Sequence, residues 1–451
     1  MSRHFSTRFG LVLVCVALLL SMFVVNTTPT QALAPAWEPN TAYSVNERVS
    51  YDGVEYACIQ SHTSLVGWEP PNVPALWSLQ SDTPPPTPIQ TVTAEPTQGA
   101  TATPGPTSTP VATPTPRPNP GGDLPDRLLV GYWHNFDNSS RVIRLRDVSP
   151  AFDVINVSFA EPTTPSGSTM AFTPFNASVD EFKSDIAYLQ DQGKKVLISI
   201  GGANGAVDLS GSGAQQNFAT SMTNIISEYG FDGMDIDLEG SSVSLVPGDT
   251  DFKNPISPKV VNLVAASRTI SNQFGADFIL TMAPETAYVQ GGLNNYGNIW
   301  GAYLPVIYGL LDKLTYIHVQ HYNSGTMTGL DGKNYAQSTA DFHVAMGEML
   351  LAGFPVGNNP SNVFPALSPE QVLIGLPSEP RAAGGGYTSP TEVQRALDYL
   401  IKGNSFGGSY QLQNPSGYPS MRGLMTWSIN WDAASGFEFS GNHRPYLDSL
   451  N

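Results

Sequence analysis

The chain has 451 residues, and 21 Lys and Arg against 38 Asp and Glu give it a formal net charge of −17. A protein with such an acidic field is a poor candidate for binding nucleic acid or anionic lipid. Only 13% of the residues are charged, whereas Gly and Pro number 42 and 38, which suits an exported protein with a long linker better than a cytosolic one.

Residues 1–36 have the pattern of a secretory signal peptide. Basic residues precede an apolar run over residues 11–25, and small residues follow that run. The run is short for a transmembrane span of about 20 residues, so cleavage is favoured over a membrane anchor. A cut after Ala36 is preferred to one after Ala34, because Pro35 would follow the latter. We therefore expect a secreted, extracellular protein with no membrane contact after cleavage.

Cysteine usage agrees with that interpretation. Cys15 lies in the signal peptide, so the mature chain retains only Cys58 and cannot form an intrachain disulfide. The sequence contains no Cys-x-x-Cys pair and no His-rich cluster, so neither a metal site nor a cofactor is expected. A large hydrophobic core must therefore hold the fold together.

Residues 37–81 form a small segment rich in aromatic side chains. Alternating residues on both sides of Asp52 and Gly53 predict a β-hairpin. A module of roughly 45 residues cannot bury all of its aromatic rings, and exposed rings can stack on the apolar faces of sugars. Trp37 and Trp77 are predicted to lie in the core, whereas Trp68, in a stiff loop next to prolines, is predicted to be exposed.

This small all-β module resembles the chitin- and cellulose-binding modules of carbohydrate-binding families 5 and 12. The resemblance rests on motifs such as Asn40-Thr41-Ala42-Tyr43 and Gly67-Trp68-Glu69-Pro70. It implies that Trp68 is the main contact with chitin, and that its neighbours in the binding surface are His62, Thr63 and Pro70.

Residues 82–124 are a linker dominated by Pro and Thr, with almost no large apolar side chains. Such a composition cannot build a core. It favours the extended polyproline helix at about 3.1 Å per residue, which gives a reach on the order of 100 Å. The following domain could therefore move widely around a docked module, and the Thr-Pro content permits O-glycosylation.

From residue 125 to residue 451, short apolar runs alternate with helical patterns. There are eight such runs, at residues 128–132, 154–159, 196–200, 233–238, 278–282, 314–320, 372–376 and 423–429. Helix starts are predicted by a capping box at Ser178, by Pro258 at a first helical position, and by both devices at Ser389. The alternation predicts an α/β fold, a (β/α)8 TIM barrel. A doubly wound open sheet is the alternative, but no Gly-rich phosphate loop supports it.

The fourth run ends in three acidic residues spaced two apart, Asp235, Asp237 and Glu239. Residues i, i+2 and i+4 of a strand share one face, so the three carboxyls are expected to line up. Close carboxyls raise one another's pKa, and a carboxyl kept neutral near pH 7 can act as a general acid. Active sites of such barrels lie at the carboxyl ends of the strands, so this stretch is predicted to be catalytic.

Two other interpretations of this stretch are weaker. A calcium loop that starts at Asp235 needs a Glu at its twelfth position, where Val246 stands. A solvated acidic face is disfavoured because Asp is a poor strand former and like charges on one face repel.

The stretch Asp232-Gly233-x-Asp235-x-Asp237-x-Glu239 is similar at every specified position to the DGxDxDxE signature of family 18 glycoside hydrolases, the chitinases and their relatives. Further similarities to that family are Ser199-Ile200-Gly201-Gly202, to which the family gives a structural role, Gln320-x-Tyr322-Asn323, and Trp427. Many relatives have Asp where Asn323 stands. The resemblance covers residues 127–435.

The resemblance implies hydrolysis of chitin and N-acetylglucosamine oligosaccharides with retention of configuration, assisted by the substrate's own acetamido group. Glu239 is the implied acid and base, and Asp237 would stabilise the acetamido group while sharing a proton with Asp235. Tyr322 would hold the acetamido oxygen. Other strand-end side chains expected to bind substrate are Trp427, Gln320, Asn323, Met282, Tyr132 and Phe159.

Several further expectations concern the barrel domain. About 40 residues separate Pro380 from Met421, too few for the α+β wall that some chitinases insert there, so an open cleft and endo cleavage are predicted. The competing functions are an endo-β-N-acetylglucosaminidase acting on N-glycans and a non-catalytic chitin-binding lectin. A monomer is expected, and the histidines are expected to be structural or exposed, namely His134, His318, His321 and His343.

Overall fold

The computed structural model describes residues 34–39, 41–44, 46–58, 62–64, 69–70, 76–80 and 124–450. The predicted signal peptide lies almost wholly outside these residues, as do Trp68 and nearly all of the linker. For His62 and Thr63 only the backbone is described.

The amino-terminal module is built from short antiparallel strands. Its described strands are β1 (Ala42–Tyr43), β2 (Arg48–Tyr51), β3 (Val54–Cys58), β4 (His62–Thr63) and β5 (Trp77–Leu79). Strands β2, β3 and β5 form one sheet, and β1 pairs with β4. Asp52 and Gly53 join β2 to β3 with φ of 50° and 78°, which confirms the predicted hairpin, because tight hairpin turns favour positive φ at both central residues.

The module's core is small. Trp77 is buried and meets Tyr43 edge to face, with ring centroids 4.9 Å apart. Val49, Cys58 and Leu76 complete the buried cluster, and the half-buried Trp37 packs against it. The predicted core position of Trp77 is confirmed, and Trp37 lies at the edge of the core.

All eight predicted runs form strands. They are β6 (Leu128–His134), β7 (Val154–Pro162), β9 (Lys195–Gly201), β10 (Gly233–Asp237), β11 (Ile279–Met282), β12 (Tyr316–Gln320), β17 (Val372–Pro377) and β18 (Gly423–Trp427). Each pairs in parallel with the next, and β18 pairs with β6, so the sheet closes into a barrel. The short strand β8 (Met170–Ala171) pairs antiparallel with the end of β7.

Helices surround the strands. They are α1 (Val179–Asp191), α2 (Ala214–Tyr229), α3 (Pro258–Phe274), α4 (Leu304–Gly309), α5 (Ala340–Ala352), α6 (Pro390–Lys402), α7 (Ile429–Ala434) and α8 (Glu438–Asp448). The capping box at Ser178 is confirmed, and Pro258 begins α3. Pro390 begins α6, but the capping box predicted at Ser389 is wrong. Glu392 pairs with Arg395 one turn later, so its carboxylate is drawn away from the cap.

The connections after β12 and β17 differ in size. Two small hairpins lie between β12 and β17, formed by β13 (Thr326–Thr328) with β14 (Asn334–Ala336) and by β15 (Phe354–Val356) with β16 (Asn359–Phe364). Between β17 and β18, which the structure describes completely, the only regular element is α6. This agrees with the expectation that no α+β wall stands there.

Within the described residues, no helix is long and apolar enough to cross a membrane. No group of three or more His, Cys, Asp or Glu side chains there could hold a metal ion.

Glu348 of α5 forms hydrogen bonds with the segment that follows α6. Its fully buried carboxyl accepts hydrogen bonds from the backbone of Gln413 and Asn414, at 2.7 and 3.2 Å, and from the hydroxyls of Tyr418 and Tyr410, at 3.0 and 2.7 Å. Buried donors left without an acceptor are costly, so this one side chain stabilises the whole segment.

We expect Glu348→Ala to lower the free energy of unfolding by about 3 kcal/mol, because four donors lose their acceptor. A denaturant titration measures this. The matched control is Glu228→Ala, since Glu228 is 56% exposed and lies 3.5 Å from Lys183, and surface pairs contribute about 0–1 kcal/mol. Equal losses in the two variants would contradict the role given to Glu348.

Candidate active site

The carboxyl ends of the barrel strands surround a cleft. Seven of the predicted site residues line it, namely Phe159, Asp237, Glu239, Gln320, Tyr322, Asn323 and Trp427. The rest of the lining was not predicted and consists of Glu285 and the small residues Gly202, Ala203, Ala382 and Ala383. Residues at or just beyond the ends of seven different strands therefore meet at one place, as the barrel topology requires.

Asp235 lies below the cleft and is fully buried. Its carboxyl accepts hydrogen bonds from Tyr132 at 2.5 Å, Ser199 at 2.7 Å and Thr281 at 2.5 Å, and Nε2 of His318 lies 3.2 Å away. Burial alone would raise the pKa of Asp235, but His318 and the hydroxyl donors outweigh it, so the pKa lies below its ordinary value. Asp235 is thus a fixed negative charge beneath the cleft.

Asp237 lies two residues after Asp235 in β10, and its pKa is shifted in the opposite direction. Burial raises its pKa well above the ordinary value, and the neighbouring carboxyls of Glu239, Asp235 and Glu285 raise it further. Because like charges this close cannot all ionise cheaply, the anion at Asp235 favours the protonated form of Asp237.

Glu239 lies two residues beyond the end of β10 and is the N-cap of a short 3-10 turn, Gly240–Ser242. Burial raises its pKa, although hydrogen bonds with Gln320 and Asp237 oppose that effect. Nε2 of Gln320 lies 2.9 Å from Asp237 and 3.0 Å from Glu239, so a single amide holds both carboxyls. The same nitrogen lies 2.9 Å from the carbonyl oxygen of Ala283, which fixes the amide's orientation.

The proton that Asp235 and Asp237 are predicted to share stays a prediction. The carboxyl oxygens of Asp235 lie within 2.5–3.2 Å of four partners, whereas Asp237 and Glu239 share the amide nitrogen of Gln320.

Glu285 was missed by the sequence analysis, although it follows the fifth strand run. Its carboxyl lines the cleft, and burial together with the charge of Glu239 raises its pKa to about 8. The available signal was its place at a strand end, in Ala283-Pro284-Glu285. Glu285 adds a fourth carboxyl to the site, one that is neutral below pH 8.

Tyr322 and Asn323 follow β12 and are held by the loop after β17. Asn323 has a φ of 52°, its backbone N–H lies 3.0 Å from the oxygen of Gly385, and its Oδ1 accepts from the N–H of Gly385 at 3.1 Å. A Cβ on Gly386 would stand 2.4 Å from Cα of Tyr322, so only glycine allows this approach. Tyr322 thus has one fixed position in the cleft wall.

The aromatic rings of the cleft are stacked. Trp427 and Phe159 lie nearly parallel, at 16° with centroids 6.0 Å apart. Tyr132 supports both rings from below, at 5.5 Å from Trp427 and 6.2 Å from Phe159. Because Tyr132 is buried and its hydroxyl binds Asp235, the expectation that it contacts substrate is replaced by a supporting role.

The expectation for Met282 is wrong. Met282 is fully buried and belongs to the apolar layer between the strands and the helices. In the strand register it pairs with Ile236, whereas its neighbour Thr281 pairs with Asp235 and faces the barrel interior. Because side chains alternate along a strand, a shift of one residue places Met282 on the outer face.

The predicted ligand contacts of the module are only partly described. Trp68 lies outside the described residues, and the backbone of His62 and Thr63 pairs with β1. Pro70 is buried, which contradicts its expected contact with a ligand, since a buried ring offers no surface for stacking.

The raised pKa of Glu285 predicts a pH dependence of stability. Its pKa of about 8 in the folded protein lies above the ordinary value of 4.5. Its contribution to the free energy of unfolding is therefore complete below pH 4.5 and is lost as the pH rises to 8. We expect Glu285→Gln to reduce the fall in melting temperature between pH 4.5 and pH 8, as measured by calorimetry. The exposed Glu228→Gln serves as control, and the same pH profile in both variants and the parent would contradict the assignment.

Comparison with known proteins agrees with the geometry. Residues 128–442 match Glycosyl hydrolases family 18, and residues 36–78 match Carbohydrate-binding module family 5/12. The chain is 48% identical to Chitinase D of Niallia circulans and 48% identical to Chitinase Chi52 of Paenibacillus xylanexedens, with 94% of both chains covered in each case.

A solved structure of a family GH18 chitinase from Chromobacterium violaceum superposes with a TM-score of 0.66 at 37% identity, covering 92% of this chain and 100% of that one. The chain therefore belongs to glycoside hydrolase family 18, and it carries a carbohydrate-binding module of family 5/12 ahead of the barrel.

Proposed function

We propose that this protein is a secreted endochitinase that cleaves β-1,4 bonds between N-acetylglucosamine units. The observation that carries the proposal is the column of three acidic side chains at the carboxyl end of β10. Asp235 lies buried beneath the cleft, and Asp237 and Glu239 line it, both held by the amide of Gln320. The two bacterial relatives named above are chitinases, and the carbohydrate-binding module supports a polysaccharide substrate.

In the proposed reaction, Glu239 gives its proton to the glycosidic oxygen. Its raised pKa supports this step, because a general acid must hold its proton at the working pH. The bond from the anomeric carbon to that oxygen breaks, and the carbonyl oxygen of the sugar's 2-acetamido group attacks the anomeric carbon. The result is a cyclic oxazolinium ion and a released sugar chain.

Asp237 and Tyr322 would hold the acetamido group during this attack. Asp237 accepts a hydrogen bond from the acetamido N–H, and the anion of Asp235 below it offsets the positive charge of the ring. Tyr322 donates its hydroxyl to the acetamido oxygen. Glu239, now ionised, takes a proton from water as the water oxygen attacks the anomeric carbon. The bond from that carbon to the acetamido oxygen breaks, which regenerates the acetamido group, restores the original configuration and returns the proton to Glu239.

Endo cleavage is proposed from the shape of the cleft. The connection from β17 to β18 contains α6 alone and no wall, so a long chain could enter from the side. Trp427 and Phe159 offer nearly parallel faces on which sugar rings could stack. Secretion is proposed from residues 1–36 and a monomeric state from the sequence; chitin and its oligosaccharides are the proposed partners.

Incubation with colloidal chitin, and separately with an N-glycosylated protein, tests the substrate. We expect soluble N-acetylglucosamine oligomers from chitin alone, detected by mass. Release of glycans without chitin products would assign the activity to an endo-β-N-acetylglucosaminidase. Chitin binding without any product would instead indicate a lectin.

We expect Glu239→Gln to lower kcat by about 10²- to 10⁴-fold while oligosaccharide binding is retained, because the amide cannot donate an acidic proton. Steady-state kinetics and calorimetric titration with a soluble oligomer measure the two effects. Glu228→Gln is the control at an exposed glutamate. A near-normal turnover in Glu239→Gln would remove Glu239 from the proposed role.

A further inference from the structure

Two histidines outside the cleft form a buried pair behind Tyr322. His321, which follows Gln320 at the end of β12, and His343 of α5 have parallel rings, 1° apart, with their Nδ1 atoms separated by 3.2 Å. Both side chains are buried. Two ring nitrogens at this distance share one proton, so one ring donates and the other accepts.

His343 also reaches the loop that lines the cleft. Its Nε2 lies 2.8 Å from the hydroxyl of Thr388, and that hydroxyl lies 3.2 Å from the carbonyl oxygen of Gly386. Gly386 packs directly against Tyr322. His343 therefore connects the segment that carries Tyr322 to the loop that packs against it.

The direction of the hydrogen bonds follows from counting donors. If His321 donates from Nδ1, His343 accepts there and donates from Nε2 to Thr388, whose hydroxyl then donates to Gly386. This direction uses all three contacts, whereas the reverse leaves the oxygen of Gly386 without the Thr388 proton. Both rings are neutral, since burial lowers the pKa of His343 to about 3 and that of His321 well below its ordinary value.

We infer that His343 is a positioning residue, which holds Tyr322 in its reactive place through His321 on one side and through Thr388 and Gly386 on the other. The inference rests on the proposed function, because it assigns Tyr322 a contact with the reacting acetamido group. His343 itself touches no substrate. His343 acts by restricting the movement of two segments that meet at Tyr322. Such restriction matters because displacing a catalytic group by about 1 Å can lower the rate on the order of 100-fold.

Two substitutions remove hydrogen bonds of His343 while keeping the side chain similar in size. We expect His343→Leu to lower kcat on soluble N-acetylglucosamine oligomers by about 10- to 100-fold. Thr388→Val removes only the hydroxyl and should lower kcat by a smaller factor, which keeps the test available if His343→Leu does not fold. The control is His443→Leu, because His443 is a buried histidine of α8 that packs on Phe439, away from the cleft. It should lower the melting temperature and leave kcat unchanged.

A double-mutant cycle with Tyr322→Phe separates positioning from general stability. If His343 acts through Tyr322, adding His343→Leu or Thr388→Val to Tyr322→Phe should cause no further loss of kcat. The inference would be overturned if the loss of kcat in the double variant equalled the product of the losses in the two single variants. A normal kcat in both His343→Leu and Thr388→Val, with a slow Tyr322→Phe, would also overturn it. In both cases the proposed function stands. A normal kcat in Tyr322→Phe would remove the proposed role of Tyr322 and the inference with it.

Discussion

The ionised carboxyl of Asp235 is the constraint on which the rest of the site depends. Taking an unpaired charge out of water is expensive, so a fully buried anion requires several donors. Tyr132, Ser199 and Thr281 supply hydroxyl donors from three strands, and His318 lies 3.2 Å away on a fourth. The closed barrel brings these strands around one carboxyl, and the charge there raises the pKa of Asp237 above it.

The negative charge of Asp235 also affects the carboxyls above it, because it raises the pKa of Asp237. Gln320 holds Asp237 and Glu239 with one amide nitrogen, so the two carboxyls remain in contact although both are acidic. Glu285 adds another acid, half-buried in the cleft wall, whose raised pKa follows from burial of its carboxyl and the charge of Glu239. Because the pKa values of Asp237, Glu239 and Glu285 are all raised, the cleft favours a protonated carboxyl that can deliver a proton to a glycosidic oxygen.

Much of this arrangement could be predicted from residue order. The eight apolar runs, the two-residue spacing of Asp235, Asp237 and Glu239, and the motif around Tyr322 indicated the barrel and its main carboxyls. Other features escaped because they depend on contacts between distant segments. The prediction for Met282 was wrong because the face of the sheet on which a side chain lies depends on strand register. Glu285 was missed because the sequence around a single carboxyl at a strand end does not show which groups will lie near it.

By itself the sequence determined the alternation of strands and helices and the face on which three carboxyls stand, because both follow from local periodicity. Only the tertiary structure decided that the pKa of Asp235 is lowered while those of Asp237 and Glu239 are raised, and that His321 and His343 meet behind Tyr322. The physical reason is that protonation depends on burial and on nearby charges, and those neighbours come from strands far apart in the chain.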